Sequence, residues 1–144
     1  MDEQETKPKG FKFSNFKVNK KKAVDGVDFQ YAPGLILTVA RFSGPKVQNY
    51  IRKAQKPYKY MINNGTMDEE TSRGILIKAL AKFCLLGWEG LIDDDENPIV
   101  YSEQQAIKCL EEEDFFVDVL SICQSKETFQ DLDEDDFEEA KGNS

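Results

Sequence analysis

A chain of 144 residues with 32% charged residues and a formal charge of −8 is expected to form one domain whose core needs no metal or disulfide staple. No apolar run reaches the roughly 20 residues of a membrane span, and the opening MDEQETKPKG has no apolar stretch of the kind that marks a secretory signal. The absence of histidine excludes Ser-His and Cys-His nucleophiles and His-ligated metal sites; Cys84, Cys109 and Cys123, odd in number and widely spaced, read as reduced packing thiols of a cytoplasmic protein.

The charge is unevenly placed. Residues 1–60 carry 13 Lys/Arg and 5 Asp/Glu, and residues 61–144 carry 6 and 22. A basic end and an acidic end can pair within one molecule or head to tail between copies.

Residues 1–10 are polar and charged and are expected to be disordered. Phe11, Phe13, Phe16 and Val18 then roughly alternate with polar residues. Basic residues interleaved with rings can bind single-stranded nucleic acid, but period-two alternation predicts a half-buried strand with the rings on the core side. Asp25-Gly26 predicts a hairpin turn, and Val27, Phe29 and Tyr31 a second strand. Pro33-Gly34 makes the next turn, and Leu35 to Phe42 is β-branched and apolar enough for a central strand. Residues 11–42 therefore read as a small antiparallel sheet or meander.

Ser43-Gly44-Pro45 ends the sheet, and residues 45–128 read as mainly helical. Pro45 suits the first turn of a helix running to about Gln55, with Val47, Tyr50, Ile51 and Ala54 on one face. Lys46, Arg52, Lys53, Lys56 and Lys59 make this region basic, either as a solvated face or as a surface for an acidic partner. Pro57 is expected to end the helix, and Asn63-Asn64-Gly65 to form a loop. Thr66 and Glu69 match a capping box, opening a core helix to about Leu86 with Ile75, Leu76, Ala79, Leu80, Phe83 and Cys84 inward. Gly74 inside it costs about 1 kcal/mol relative to alanine and points to close packing.

Gly87 is expected to close that helix in a left-handed conformation. Two short apolar runs, Trp88 to Ile92 and Ile99 to Tyr101, flank the polar cluster Asp93 to Pro98, which predicts a hairpin-like acidic corner at about 88–101. An EF-hand loop counted from Asp93 would put Pro98 where glycine is required and Gln104 where glutamate is required, so a solvated turn is expected instead of a calcium site. Ser102 and Gln105 form a second capping box, and the helix they open turns Ala106, Ile107 and Leu110 inward. Asp114 is placed to cap a last helix with Phe115, Phe116, Val119, Leu120, Ile122 and Cys123 on its apolar side. Residues 131–139 hold seven acids in nine residues and begin an acidic tail, 131–144, expected to be disordered. Phe129, Leu132 and Phe137 give this end the look of a short docking motif.

The fold class expected is α+β, with one domain over residues 11–130. There is no glycine-rich phosphate loop, metal-ligand cluster or nucleophile–base pair. The expectation is a non-enzymatic binding protein with no cofactor and no metal.

The stretch LLGWEGLIDDDENPIVYSEQQAIKCL resembles a pattern of tail assembly chaperones of long-tailed bacteriophages. The residues that match are Gly87, Trp88, Asp93, Asp95, Asn97, Pro98, Tyr101, Ser102, Ala106 and Leu110. Asp25-Gly26-Val27-Asp28-Phe29, followed by a strand and a Tyr-bearing helix, is also similar, so coverage runs from Phe16 to about Phe129. Glu96 departs from the pattern, which has glycine there, and glutamate resists a positive φ.

The resemblance implies a protein that binds the tape-measure protein, keeps it soluble and helps recruit tail-tube subunits. It implies work in the bacterial host cytoplasm and absence from the mature virion. It also implies that a longer product can arise by frameshifting near the end of the shorter one. Two surfaces are candidates. An apolar groove beside Trp88 and Tyr101 would accept an amphipathic helix, the alternative being that both rings are core. The Lys46, Arg52, Lys53 and Lys56 face would meet acidic partners or a neighbouring copy. An alternative from another class is an acidic DNA mimic that binds a host nuclease, which the basic first half fits poorly. Nucleic-acid binding by that half is disfavoured by the acidic remainder.

Overall fold

The computed structural model describes residues 10 and 12–131. Apart from Gly10 and Asp131, the expected disordered termini fall outside that range, as do Phe11, Leu132 and Phe137. The alternation at Val27-Asp28-Phe29 and at Leu35 to Val39 forms β1 (Val27–Ala32) and β2 (Leu35–Val39), joined at Pro33-Gly34. They pair antiparallel with Phe29 opposite Leu37 and Val27 opposite Val39. The third strand, β3 (Leu85–Glu89), comes from much later in the chain and pairs antiparallel with the other edge of β2, Trp88 opposite Leu37. The order is β1-β2-β3, so the strand expected to be central is central. Leu37, Val39 and Leu85 are fully buried against the helices. Asp28 and Thr38 meet on the opposite face, where the Thr38 hydroxyl donates to the Asp28 carboxylate at 2.8 Å.

Upstream of β1 the structure corrects two expectations. Phe13–Phe16 is a 3₁₀ turn instead of a strand, and Val18 makes only an isolated bridge to Gln130. Lys20–Asp25 is a short helix, α1, whose N-cap Asn19 side chain accepts from the Lys22 amide at 3.1 Å. Asp25-Gly26 therefore ends a helix and is not a hairpin turn: the Gly26 amide donates to the Lys22 carbonyl at 2.9 Å. A run of lysines satisfies a surface helix because its side chains stay in water, so no apolar period announces it.

Helix α2 spans Pro45–Gln55, as expected, with Val47 buried. Pro57 does not end the helical path. It sits in the first turn of a 3₁₀ segment, Lys56–Tyr58, where its missing N–H is not needed, and α3 (Lys59–Asn63) follows directly. Helix α4 spans Glu69–Phe83 with Asp68 as N-cap and no side-chain cap. Thr66 does not form the expected box; its hydroxyl donates to the Met61 carbonyl at 3.4 Å. Ile75, Ala79 and Leu80 are buried as expected, with Ile77 and Ala81 added to them. The helix stops three residues before the expected Leu86 because the next residues are drawn to β2, with the Ala40 amide donating to the Cys84 carbonyl at 2.8 Å. Gly87 is consequently a strand residue and has no positive φ.

Helix α5 (Glu103–Leu110) opens on Ser102, whose hydroxyl accepts from the Gln105 amide at 3.0 Å. Helix α6 (Glu113–Gln124) has Glu112 at its N-cap; Asp114 lies inside the first turn, where the dipole favours it, and does not cap. A 3₁₀ turn, Lys126–Phe129, closes the described chain. Leu37, Leu80, Leu110, Phe116, Val119 and Phe129 belong to one buried cluster that joins sheet and helices. The class is α+β: a three-stranded antiparallel sheet, two strands of it from the N-terminal half, beside a mainly helical remainder. Among the described residues no helix is long and apolar enough to cross a membrane.

Candidate functional site

The acidic corner is built by backbone bonds around Asp93. Its carboxylate accepts from the amides of Asp95 and Asn97, both at 2.9 Å, and its own amide donates to the Asn97 carbonyl at 2.8 Å. Ile92 and Pro98 form one antiparallel bridge, so the corner is hairpin-like as expected, though not a pair of full strands. The Asp93 carboxylate is thus occupied in holding the turn. Among the described residues no group of three or more Cys, Asp or Glu is arranged to hold a metal.

Glu96 has φ 66°, and among the described residues it is the only non-glycine with a positive φ. It occupies the position where the tail-chaperone pattern has glycine. Left-handed backbone costs an L-residue about 1–2 kcal/mol, offset in a glycine variant by about 0.5–1 kcal/mol of extra unfolded-state entropy. Glu96→Gly is expected to hold or slightly raise the urea midpoint, whereas Glu96→Val lowers it by the equivalent of more than about 1 kcal/mol. Equal midpoints for the two variants would show that the turn is not strained.

Trp88 and Tyr101 are brought together, but as a brace. Their rings meet edge to face, with centroids 4.9 Å apart and planes at 80°. The Trp88 indole N–H donates to the Ile99 carbonyl at 2.7 Å, and the Tyr101 hydroxyl donates to the Leu85 carbonyl at 2.6 Å. Burial, then the Glu103 carboxylate, pushes the Tyr101 phenol up from its ordinary value. Both rings pack on the core and both polar tips are satisfied by backbone, so each ties the corner to β3.

The basic candidates do form one surface. Lys46, Arg52, Lys53 and Lys56 are all exposed on α2 and the turn after it. Val47, Tyr50 and Ala54 take the opposite side, where Tyr50 meets Phe83 edge to face at 5.5 Å. No Asp or Glu occurs anywhere from Arg41 to Met67. Among the described residues no carboxylate pairs with these four side chains; Arg52 bonds the Asn49 amide oxygen. Tyr60, 80% exposed, and Met61 and Ile62 extend the surface with apolar groups.

Sequence reasoning missed two hollows that flank α4. One, of about 360 Å³, lies toward α2 and is lined by Tyr50, Tyr58, Ile75 and others; the second, of about 520 Å³, lies toward α5 and is lined by Arg73, Ile77, Ile107 and others. Gly74 and Lys78 line both. The expected close packing at Gly74 is absent within the described residues: a Cβ there would meet nothing within 4 Å. The glycine itself was the available signal, an unfavourable residue in mid-helix with no partner inside the fold.

Two further positions are resolved differently. Phe129, expected in a docking motif, is 0% exposed and belongs to the core, and Phe137 lies outside the described residues. Cys84 and Cys123 are buried free thiols, and a hydrogen bond with Cys84, then burial, pushes the Cys123 thiol up; buried cysteines of this kind behave as small packing residues.

What these surfaces define is a small α+β protein that displays an acid-free basic helix, an open helical ridge and a braced acidic corner on one core. Residues 42–140 match the family model described as YdaY prophage protein, and the chain belongs to that family. It is a phage-related protein, and the match covers the basic helix, the ridge and the corner. No curated protein and no solved structure matches the chain.

Proposed function

We propose that this prophage protein is a tail assembly chaperone. It binds the tape-measure protein without catalysis and helps recruit tail-tube subunits in the bacterial cytoplasm, and it does not remain in the virion. Support comes from its membership of a prophage family and from the corner motif, in which Glu96 adopts the backbone of the glycine it replaces. The observation that carries the reading is the α4 ridge. Gly74 faces open space between two partly apolar hollows, beside a basic helix that carries no acid of its own, with Glu70 and Glu111 confined to the lining of the hollow toward α5. An amphipathic helix with an acidic edge fits such a surface, laying apolar side chains into the hollows and its backbone over the glycine.

The test is capture from cells carrying the induced prophage, with this protein tagged. Recovery of a very long helical protein together with tail-tube subunits is expected. Gly74→Leu should stabilise the fold by about 0.5–1 kcal/mol, because leucine is the better helix former, yet reduce capture about tenfold by filling the ridge. Glu at Arg52, Lys53 and Lys56 together should weaken capture most at low salt, where exposed charges are least screened. Capture unchanged by both variants would remove this surface, and recovery of a host nuclease instead would put the DNA-mimic reading first.

A further inference from the structure

The first described residues and the last are tied together. The Asn19 amide donates to the Phe129 carbonyl at 2.9 Å, and the Gln130 side chain donates to the Phe16 carbonyl at 2.8 Å. Asp131 then lies 2.8 Å from the Lys22 ammonium and accepts from the Asn19 side-chain amide at 2.9 Å. The Lys22 bond, then the Asn19 bond, holds the Asp131 carboxyl below the usual carboxylate range. These bonds deliver the chain to one place: a hollow of about 320 Å³ between the 3₁₀ turn and α1, lined by Ser14, Lys17, Val18, Lys20 and Lys21, with Asp131 at its rim. Among the described residues Lys17, Lys20 and Lys21 take part in no ion pair.

The sequence that leaves this rim is Leu132-Asp133-Glu134-Asp135-Asp136-Phe137-Glu138-Glu139, six acids in eight residues. We propose that this segment docks back onto the lysine-lined hollow of its own chain, continuing the contact that Asp131 begins. Charge complementarity selects it over a neutral or basic occupant. Attachment at the rim selects the same chain over a second copy, since a directly tethered segment is present at millimolar effective concentration. Ion pairs between exposed groups are individually weak and screened by salt, so the contact is expected to be salt-sensitive. It neutralises the basic N-terminal hollow and leaves α2 as the open basic surface.

The experiment is zero-length carbodiimide cross-linking of the full chain, using an equal mixture of unlabelled and ¹⁵N-labelled protein, at low salt and at about 1 M NaCl, where the screening length falls to about 3 Å. The expected products join Lys17, Lys20 or Lys21 to residues 133–139 within one isotopic form. Their yield should fall at least about fivefold in high salt. The Lys22–Asp131 product reports that the fold is intact. Products of mixed isotope would make a second copy the occupant and overturn the proposal. So would tail products on Lys46 to Lys59, or no tail product where Lys22–Asp131 forms.

Discussion

Phe129→Ala is expected to destabilise the protein by about 3–5 kcal/mol, the cost of removing a fully buried ring and leaving a cavity. Phe129 is completely buried in the cluster that holds Leu37, Leu80 and Val119. Its neighbours add to the effect. The Thr128 hydroxyl donates to the Ile122 carbonyl at 2.9 Å, and the buried Gln130 side chain reaches the Phe16 carbonyl. Loosening the ring therefore also loosens the seam between the N-terminal segment and α6. Against a typical total of about 5–15 kcal/mol, the loss is large enough to read by urea unfolding with Trp88 fluorescence. The midpoint should fall with little change in slope. A midpoint within the equivalent of about 0.5 kcal/mol of wild type would return Phe129 to the accessible docking residues, because surface substitutions have effects of that size.

Gly90→Ala is expected to be at least as damaging, for a backbone reason. Gly90 has φ 93°, and a Cβ built there would lie 1.8 Å from the Gly34 carbonyl oxygen and 3.0 Å from its carbon. The obstacle is main chain, so no rotamer change relieves it. Either the β1–β2 turn or the end of β3 must move, and both are pinned by the central strand. A loss of more than about 3 kcal/mol is expected, combining left-handed strain with the displaced turn. Gly74→Ala is the paired control. The same chemical change at a position with open space should raise stability by about 1 kcal/mol. Thermal melts of the two variants that moved in the same direction would contradict this account.

Local signals were legible wherever neighbouring residues alone decide the outcome. Ser102 with Gln105 fixes the start of α5 through a bond across one turn. Pro45 fixes the start of α2, and Pro33-Gly34 fixes the β1–β2 turn. What misled were segments decided by distant partners. Leu85 and Leu86 continue a helical apolar run on paper, with Gly87 as its stop, but β2 offers Leu85 to Glu89 an unpaired edge, and strand pairing wins. Phe129 sits among acids in sequence and so resembles a solvated tail, although Asn19 and Phe16, more than a hundred residues earlier, fold that stretch into the core. At the candidate site, composition revealed the basic helix. The ridge at Gly74 depends on how α2 and α5 splay from α4, which no spacing encodes. Trp88 and Tyr101 do meet, but sequence could not show that their polar atoms are consumed by Ile99 and Leu85.

The position of β2 between an adjacent strand and a distant one also has a consequence for synthesis. As the ribosome extends the chain, β1 and β2 are complete before any of α2, α3 or α4 has been made, and β3 comes only after those three helices. At about 5–20 residues per second, the nascent hairpin waits a few seconds with one side of its middle strand unpaired. Such an edge is a template for pairing with other chains, and polysomes crowd identical hairpins together. The first residues translated during that wait, Arg41 to Met67, contain no acid, and Asp68, Glu69 and Glu70 follow before β3. Each waiting hairpin therefore first trails a positive segment, and like charge keeps neighbouring nascent chains apart during the early part of that wait.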